Sequence, residues 1–213
     1  RFLIPGLAEM HGHIPGANAA MAEDVLFLYV AAGATTVRGM QGHPAQIELK
    51  RRAEAGEIVA PRLWLAAPPL SGNNASDPAA AERLVRQAKE SGFDLLKVHE
   101  GIPQDAYDAI VRTATELGLP WGGHVSQFVG VDGALRARQS TIDHIDDYIE
   151  ALNPQSSPAW NAGGADRVRL MAMHADEAGI PALARRTREA GVAMTAPNAS
   201  SAIVRSRFVA MAQ

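Results

Sequence analysis

The sequence predicts an α/β fold in which parallel strands alternate with helices. Strand-like and helix-like segments alternate seven times, most of the predicted helices end at a glycine, and successive strands begin roughly 20 to 33 residues apart in most units. Two architectures satisfy this pattern, a doubly wound open sheet and an eight-stranded (β/α) barrel. Because a barrel takes about 250 residues, a chain of 213 residues has room for about seven of its eight units.

The predicted elements follow from local patterns. Short apolar or β-branched runs predict strands, which lie at 3–10, 35–40, 61–67, 93–99, 120–125, 140–145 and 192–196. Helical periods predict helices at 21–32, 45–55, 78–91, 104–117, 131–138, 181–190 and 202–211. Glycine follows several of these helices, and Pro78 occupies a favoured first helical position after Ser76 or Asp77, either of which can cap the helix. The segment 153–166 (NPQSSPAWNAGGAD) is predicted to be a long loop.

Composition excludes several classes of protein. Apolar residues make up 47% and charged residues 20% of the chain, as in ordinary globular domains. A net charge of −3 offers no basic surface for nucleic acid. No run reaches the roughly 18 apolar residues of a membrane segment. The lack of cysteine excludes disulfides and thiolate metal sites.

The chain begins with Arg1 inside an apolar run and ends at Gln213 without a stop signal. We therefore expect it to be a piece of a longer protein. The compartment is left open: cytoplasmic, or periplasmic or secreted if a signal peptide has been removed. A homo-oligomer is left open in the same way.

Histidines collect at the ends of predicted strands. Of the seven histidines, five lie there, and the first two stand in the stretch AEMHGHIPG. Residues two apart in a strand share a face, so His11 and His13 are predicted to point the same way. His124 (in GGHV) and His144 (in TIDHID) end two further strands. Surface or core histidines are the plain alternative, but imidazoles gathered without thiolates suit zinc and related metals.

Lys97 interrupts the apolar strand FDLLKVH. Burial of its charge is costly unless the charge is paired, and the alternative is a lysine on an edge strand whose amine reaches solvent. Desolvation favours the neutral amine. A neutral amine reacts with carbon dioxide to give a carbamate, which is a carboxylate on a long arm and could bridge two metal ions.

These motifs together resemble the amidohydrolase superfamily, in its imidazolonepropionase-like and prolidase-like branch. The matching stretches occur in family order along nearly the whole chain and are FLIPGLAEMHGH, TTVRGM, LLKVH, GGHV and TIDHID. Glu9 stands where the family usually has Asp. The resemblance implies a (β/α)8 TIM-like barrel of the amidohydrolase type over residues 1–213, with strand eight and a small β-sandwich outside this chain.

The resemblance also implies a binuclear metal site. His11 and His13 would bind the more buried metal, carboxylated Lys97 would bridge both, and His124 and His144 would bind the more exposed one. Two Zn²⁺ per chain are expected, with other first-row metals as alternatives. The catalytic aspartate at the end of strand eight would lie beyond Gln213, because no Asp or Glu follows Glu189.

Four further polar residues were considered for roles in or near the site. Arg38, at the end of the second strand, and His43, just after it, are candidate substrate contacts, since an arginine there could clamp a carboxylate. A structural salt bridge is the equal alternative for Arg38. His99 and His174 are interpreted as structural, although His99 shares the face of Lys97 by period-two counting.

The implied activity is metal-dependent hydrolysis of an amide-type C–N bond, as in a dipeptide, cyclic amide or acyl amide, by a metal-activated hydroxide. The partner would be a small-molecule or short peptide substrate. One alternative is a mononuclear deaminase of the same superfamily, which would use His11, His13 and His124 and would not need Lys97. Another is a non-catalytic metal-binding fragment or pseudoenzyme. A nucleotide-binding open sheet is disfavoured because no glycine-rich phosphate motif follows the first strand.

Overall fold

The structure, a computed structural model, describes residues 3–16, 18–145 and 147–195. Two units divide the chain, Arg1–Phe128 and Val129–Gln213. The predicted helix at 202–211 and the last residue of the predicted strand 192–196 lie outside the described residues.

The described part of the first unit contains five strands joined by helical crossovers. They are β1 (Leu7–Gly12), β2 (Ala34–Gly39), β3 (Arg62–Leu65), β4 (Leu96–Val98) and β5 (Trp121–Gly123). β1 pairs with β2, β2 with β3, and β4 with β5, all in parallel. Single bridges, Ala66 to Leu95 and Leu70 to Val98, connect the end of β3 to β4. The predicted α/β class with parallel strands is therefore confirmed.

The helices of the first unit lie within two residues of their predicted bounds. They are α1 (Ala19–Ala31), α2 (Ala45–Glu54), α3 (Pro78–Glu90) and α4 (Gln104–Leu117). The Asp77 carboxylate accepts a hydrogen bond from the Ala80 N–H at 2.9 Å, which caps α3. Gly118 ends α4 in the left-handed region, at φ 64°. No helix within the described residues is both long and apolar enough to cross a membrane.

The second unit pairs two short strands in parallel, β6 (Thr141–Asp143) and β7 (Ala193–Thr195). Its α-helices are α5 (Gly130–Arg136), α6 (Tyr148–Ala151), α7 (Gly164–His174) and α8 (Ile180–Glu189). Two turns of 3₁₀ helix, Pro158–Asn161 and Glu177–Gly179, precede α7 and α8.

The segment 153–166 is not the plain loop that its composition predicts. It contains the first 3₁₀ turn and the start of α7. The Trp160 indole N–H donates to the Pro154 carbonyl at 2.9 Å, and the Arg167 guanidinium lies over the Trp160 ring, 5.3 Å from its centroid. Arg167 also donates to the Ala159 carbonyl at 3.3 Å. The loop prediction is wrong for residues 158–161 and 164–166, which are helical. The contacts of Trp160 and Arg167 order this stretch.

The first strand lies later in the chain than predicted. Leu3 and Ile4 precede β1 and are 99% and 72% exposed, so the prediction of a buried strand at 3–10 is wrong at its start. β1 instead extends through His11 to Gly12. An apolar run alone does not show where pairing begins. Pairing starts where Leu7 meets Ala34 on β2.

An ion pair ties α2 to the sheet of the first unit. The Lys50 amine lies 2.6 Å and 2.8 Å from the two carboxylate oxygens of Asp94, and one of these oxygens also accepts the Leu65 N–H at 2.7 Å. The two side chains are 19% and 16% exposed. Because the pair is largely shielded from water and the carboxylate also binds the backbone, it contributes more than a surface salt bridge does.

We therefore expect Asp94→Ala to lower the free energy of unfolding by about 2–3 kcal/mol, since the change leaves Lys50 and the Leu65 N–H without this acceptor. Urea denaturation followed by circular dichroism measures the change. Glu48→Ala is the matched control because it removes an exposed pair with Arg51 on the same helix and should hardly move the midpoint. Equal midpoints for Asp94→Ala and Glu48→Ala would contradict the assigned role of Asp94.

Candidate metal centre

Four imidazoles of the first unit stand at the carboxyl ends of its strands. His11 is the penultimate residue of β1, and His13 directly follows the strand. The centroids of the two rings are 5.2 Å apart. His99 follows β4, and His124 follows β5. The ring centroids of this second pair are 4.2 Å apart. The predicted shared face of His11 and His13 is consistent with this spacing, and His99 is brought next to His124.

Lys97 is a buried lysine of the first unit. It lies in the middle of β4 with only 3% of its surface exposed. Its side chain runs across Gly123 of β5. A Cβ at Gly123 would lie 2.7 Å from Cδ and 3.1 Å from Cε of Lys97, and 2.4 Å from the Val98 carbonyl oxygen. Glycine at this position therefore makes the space in which the lysine chain lies.

Electrostatics connect Lys97 with the first histidine pair. The pKa of His13 is lowered by burial, and further by the positive charges of His11 and Lys97. Burial and these two charges thus favour the neutral imidazole of His13. A neutral imidazole has a free nitrogen lone pair, which is the form that binds a metal.

The backbone around His11 and His13 departs from the regular ladder. β1 pairs with β2 up to Glu9 and Val37, then shifts register before Gly12 meets Gly39. Three residues of β1 thus span the length of two on β2, which is a β-bulge. Bulges are common next to active sites because they redirect a side chain.

Side chains form hydrogen bonds with the backbone of this bulge. The Arg38 Nε donates to the Met10 carbonyl at 2.6 Å. The Glu9 carboxylate accepts the His11 N–H at 2.7 Å. Arg38 is 6% exposed, so the residue predicted as a substrate contact is buried against β1.

His43, the other predicted substrate contact, lies at the start of α2. It is exposed, and its Nδ1 accepts the Ala45 N–H at 3.2 Å. Its side chain packs on Gly16, where an added Cβ would lie 2.3 Å from Cβ and Cγ of His43. These contacts begin the helix, and a substrate role for His43 stays a prediction.

In the second unit, His144 follows β6 in unusual backbone geometry. His144, Ile145 and Asp147 all have φ near +60°. Such a conformation costs of order 1 kcal/mol or more for a non-glycine residue, and most for a β-branched one such as Ile145. Strain of this kind clusters at functional sites, which supports a role for the end of β6.

Asp143, directly before His144, has no exposed surface, and its carboxylate accepts the Thr195 hydroxyl at 2.7 Å. His174, by contrast, lies exposed in the last turn of α7, in keeping with its structural interpretation.

Within residues 3–16, 18–145 and 147–195, no group of three or more His, Asp or Glu side chains is close enough to hold one ion. The structure places the imidazoles in pairs instead, and the charge of Lys97 lowers the pKa of His13 in the first pair. The donor set nevertheless fits a divalent metal: imidazoles, no thiolates, and a lysine whose chain occupies a space that any Cβ at Gly123 would fill.

Two groups near the histidines were missed by sequence reasoning. Tyr29 is a single tyrosine on an apolar helix and gives no local signal. Asp143 could have been found, because a carboxylate inside the apolar strand of TIDHID is costly to bury without a partner.

Comparisons with known proteins agree on the type of fold. No family model matches the sequence, and no curated protein matches it. Among solved structures, a bottromycin amidohydrolase is 25% identical with a TM-score of 0.64, over 80% of this chain and 37% of the other. An Xaa-Pro dipeptidase with methionine bound in its active site is 18% identical with a TM-score of 0.57, over 92% and 66%. A molinate hydrolase is 14% identical with a TM-score of 0.58, over 91% and 60%.

The chain thus spans between 37% and 66% of the lengths of these three proteins. Their shared fold accounts for the parallel strands. The structure of this chain is therefore of the amidohydrolase type, and the resemblance found in the sequence is confirmed.

Proposed function

We propose that this chain is the metal-binding part of a hydrolase that cleaves amide-type C–N bonds. In the first unit the ligands would be His11, His13, Lys97 and His124. The architecture would be the (β/α)8 barrel implied by the resemblance, formed by one domain over residues 1–213. His144 keeps the role of a ligand predicted from the family motif.

One observation carries the proposal: a lysine buried to 97% of its surface, whose chain runs over Gly123 next to the strand end that carries His124. Burial of an ammonium group costs free energy, so a lysine in this apolar strand points to a functional role for Lys97. Reaction of the neutral amine with carbon dioxide forms a C–N bond and releases one proton, giving a carbamate. The product replaces a buried cation by an anion with two oxygen donors.

The residues of the first unit have separate tasks in this proposal. His11 and His13 supply nitrogen donors from one strand, and Lys97 supplies oxygen donors from another. A divalent metal bound there would supply Lewis-acid activation of water and of the substrate carbonyl. His99 lies against His124 and would hold its ring in place, since metal-binding imidazoles are commonly oriented by neighbours.

The substrate class is proposed from the structural neighbours. An amidohydrolase and an Xaa-Pro dipeptidase both carry names that describe cleavage of a C–N bond. Short peptides and acylated amino acids are therefore the compounds to test first. Two Zn²⁺ per chain are proposed as the resident metals.

The experiment measures hydrolysis of Xaa-Pro dipeptides and N-acyl amino acids by the protein loaded with zinc. We expect hydrolysis to stop after treatment with a chelator and to return when zinc is added back. His13→Ala should abolish the activity. His174→Ala, which changes an exposed histidine on α7, should leave it unchanged. Hydrolysis that survives both the chelator and His13→Ala would contradict the proposal.

A further inference from the structure

The bulge of β1 contains His11 and lies directly before His13. The register with β2 shifts between Glu9 and Gly12, so Met10 and His11 form the extra length of β1. Beyond the bulge, the Met40 N–H donates to the Gly12 carbonyl at 2.9 Å. Side chains that contact the backbone of the bulge therefore bear on the directions of both imidazoles.

Tyr29 reaches this bulge from α1. A Cβ at Gly12 would lie 3.2 Å from the Tyr29 hydroxyl and 3.4 Å from Cγ of Glu9, so both side chains pass directly over Gly12. The Tyr29 hydroxyl also forms a hydrogen bond with the backbone of His13. Burial and the Glu9 carboxylate raise the pKa of Tyr29, whereas the bond to His13 lowers it.

Three side chains thus contact the backbone between Met10 and Gly12. Arg38 binds the Met10 carbonyl, Glu9 binds the His11 N–H, and the Tyr29 hydroxyl lies over Gly12. They come from β2, β1 and α1 respectively. A bulge held by contacts from separate elements is more rigid than one held by the strand alone, since each contact restricts a different backbone group.

We propose that Tyr29 is a positioning residue that, together with Arg38, fixes the bulge of β1 so that His11 and His13 are set for metal binding before a metal arrives. This inference rests on the proposed function. It gives Arg38 a role in holding the site in place of the substrate contact predicted from the sequence. It also gives a role to the Tyr29 hydroxyl, which extends from α1 to Gly12 of β1.

The test measures the zinc affinity of the wild-type protein, Tyr29→Phe and Arg38→Lys by competition with a chromophoric chelator. Neighbours that orient metal ligands typically change affinity by about 10- to 100-fold when mutated. We expect Tyr29→Phe to weaken zinc binding about tenfold, and Arg38→Lys to weaken it in the same direction. The control is Tyr148→Phe, which removes a buried hydroxyl bonded to Thr187 at 2.8 Å and should bind zinc like the wild type.

A second readout needs no metal. Hydrogen exchange of the amides of residues 10–13 in the metal-free protein should be faster in Tyr29→Phe than in the wild type, while exchange in the core of α4 stays the same. A purely structural role would lower the melting temperature without changing zinc affinity. Equal zinc affinity of Tyr29→Phe and the wild type would overturn this inference alone. A wild-type protein that binds no zinc would overturn the proposed function, and the inference with it.

Discussion

Replacing Lys97 with alanine is expected to lower the metal content from about two ions per chain to one or none. Lys97 is the only residue proposed here that could reach two ions at once, through the two oxygens of a carbamate. Its loss would remove one ligand from each ion. Elemental analysis of protein purified without chelator measures the change, and added short-chain carboxylates should restore part of the metal.

Two further variants make the Lys97 result interpretable. Lys97→Met keeps most of the side-chain volume in the space over Gly123, so loss of metal in both variants cannot be assigned to a cavity. Lys50→Ala removes another shielded lysine, the one paired with Asp94, and should leave the metal content unchanged. If Lys97→Ala and Lys97→Met both keep the wild-type metal content, the bridging role of Lys97 is wrong.

Gly123→Ala is expected to be among the most damaging single-methyl changes in the first unit. The new Cβ would meet the Val98 carbonyl at 2.4 Å and the Lys97 chain at 2.7 Å, and φ is +127° at this position. Overpacking and backbone strain together predict a loss of about 3 kcal/mol or more in the free energy of unfolding. Zinc content of the folded fraction should fall as well, because the Lys97 chain must move.

The control for Gly123 lies at the end of the preceding helix. Gly118 also has a positive φ, 64°, but an added Cβ there meets no atom within 4 Å. Gly118→Ala should therefore cost only the left-handed strain, about 1–2 kcal/mol, and should retain its zinc. Urea denaturation and elemental analysis of both variants provide the comparison. A loss no greater for Gly123→Ala than for Gly118→Ala would contradict the assigned packing.

Local signals in the sequence were enough for most helices. The α4 helix has the predicted bounds, Gln104–Leu117, because an apolar stripe runs its length and Gly118 ends it. The α3 helix begins at Pro78 with Asp77 as its cap, one of the two caps predicted. These elements are specified by neighbours within a few residues, and such signals can be read directly.

The parts that could not be predicted depend on contacts between distant residues. Trp160 and Arg167 order a segment whose composition predicts a loop. Most strands are shorter than their apolar runs because pairing, and not hydrophobicity, decides where each strand begins. The helical turns within residues 153–166 could not be predicted from the sequence, because the contacts of Trp160 and Arg167 were not known from it.

For the candidate site, sequence reasoning could place the histidines at strand ends but could not describe how they are held. The period of two indicated that His11 and His13 share a face, and their rings do lie close together. The bulge in β1 depends on pairing with β2, and the Tyr29 hydroxyl reaches it from α1. Neither feature can be predicted from the H-x-H motif. The closeness of His99 and His124 depends likewise on the pairing of β4 with β5.

The most direct test of the central claim, that the strand-end histidines of the first unit hold a divalent metal, is anomalous diffraction at the zinc edge from crystals grown with zinc. The account predicts a peak about 2.0–2.1 Å from a ring nitrogen of both His11 and His13, with density for a carboxylated Lys97 beside it. Zinc bound elsewhere, with neither His11 nor His13 as a ligand, would contradict it.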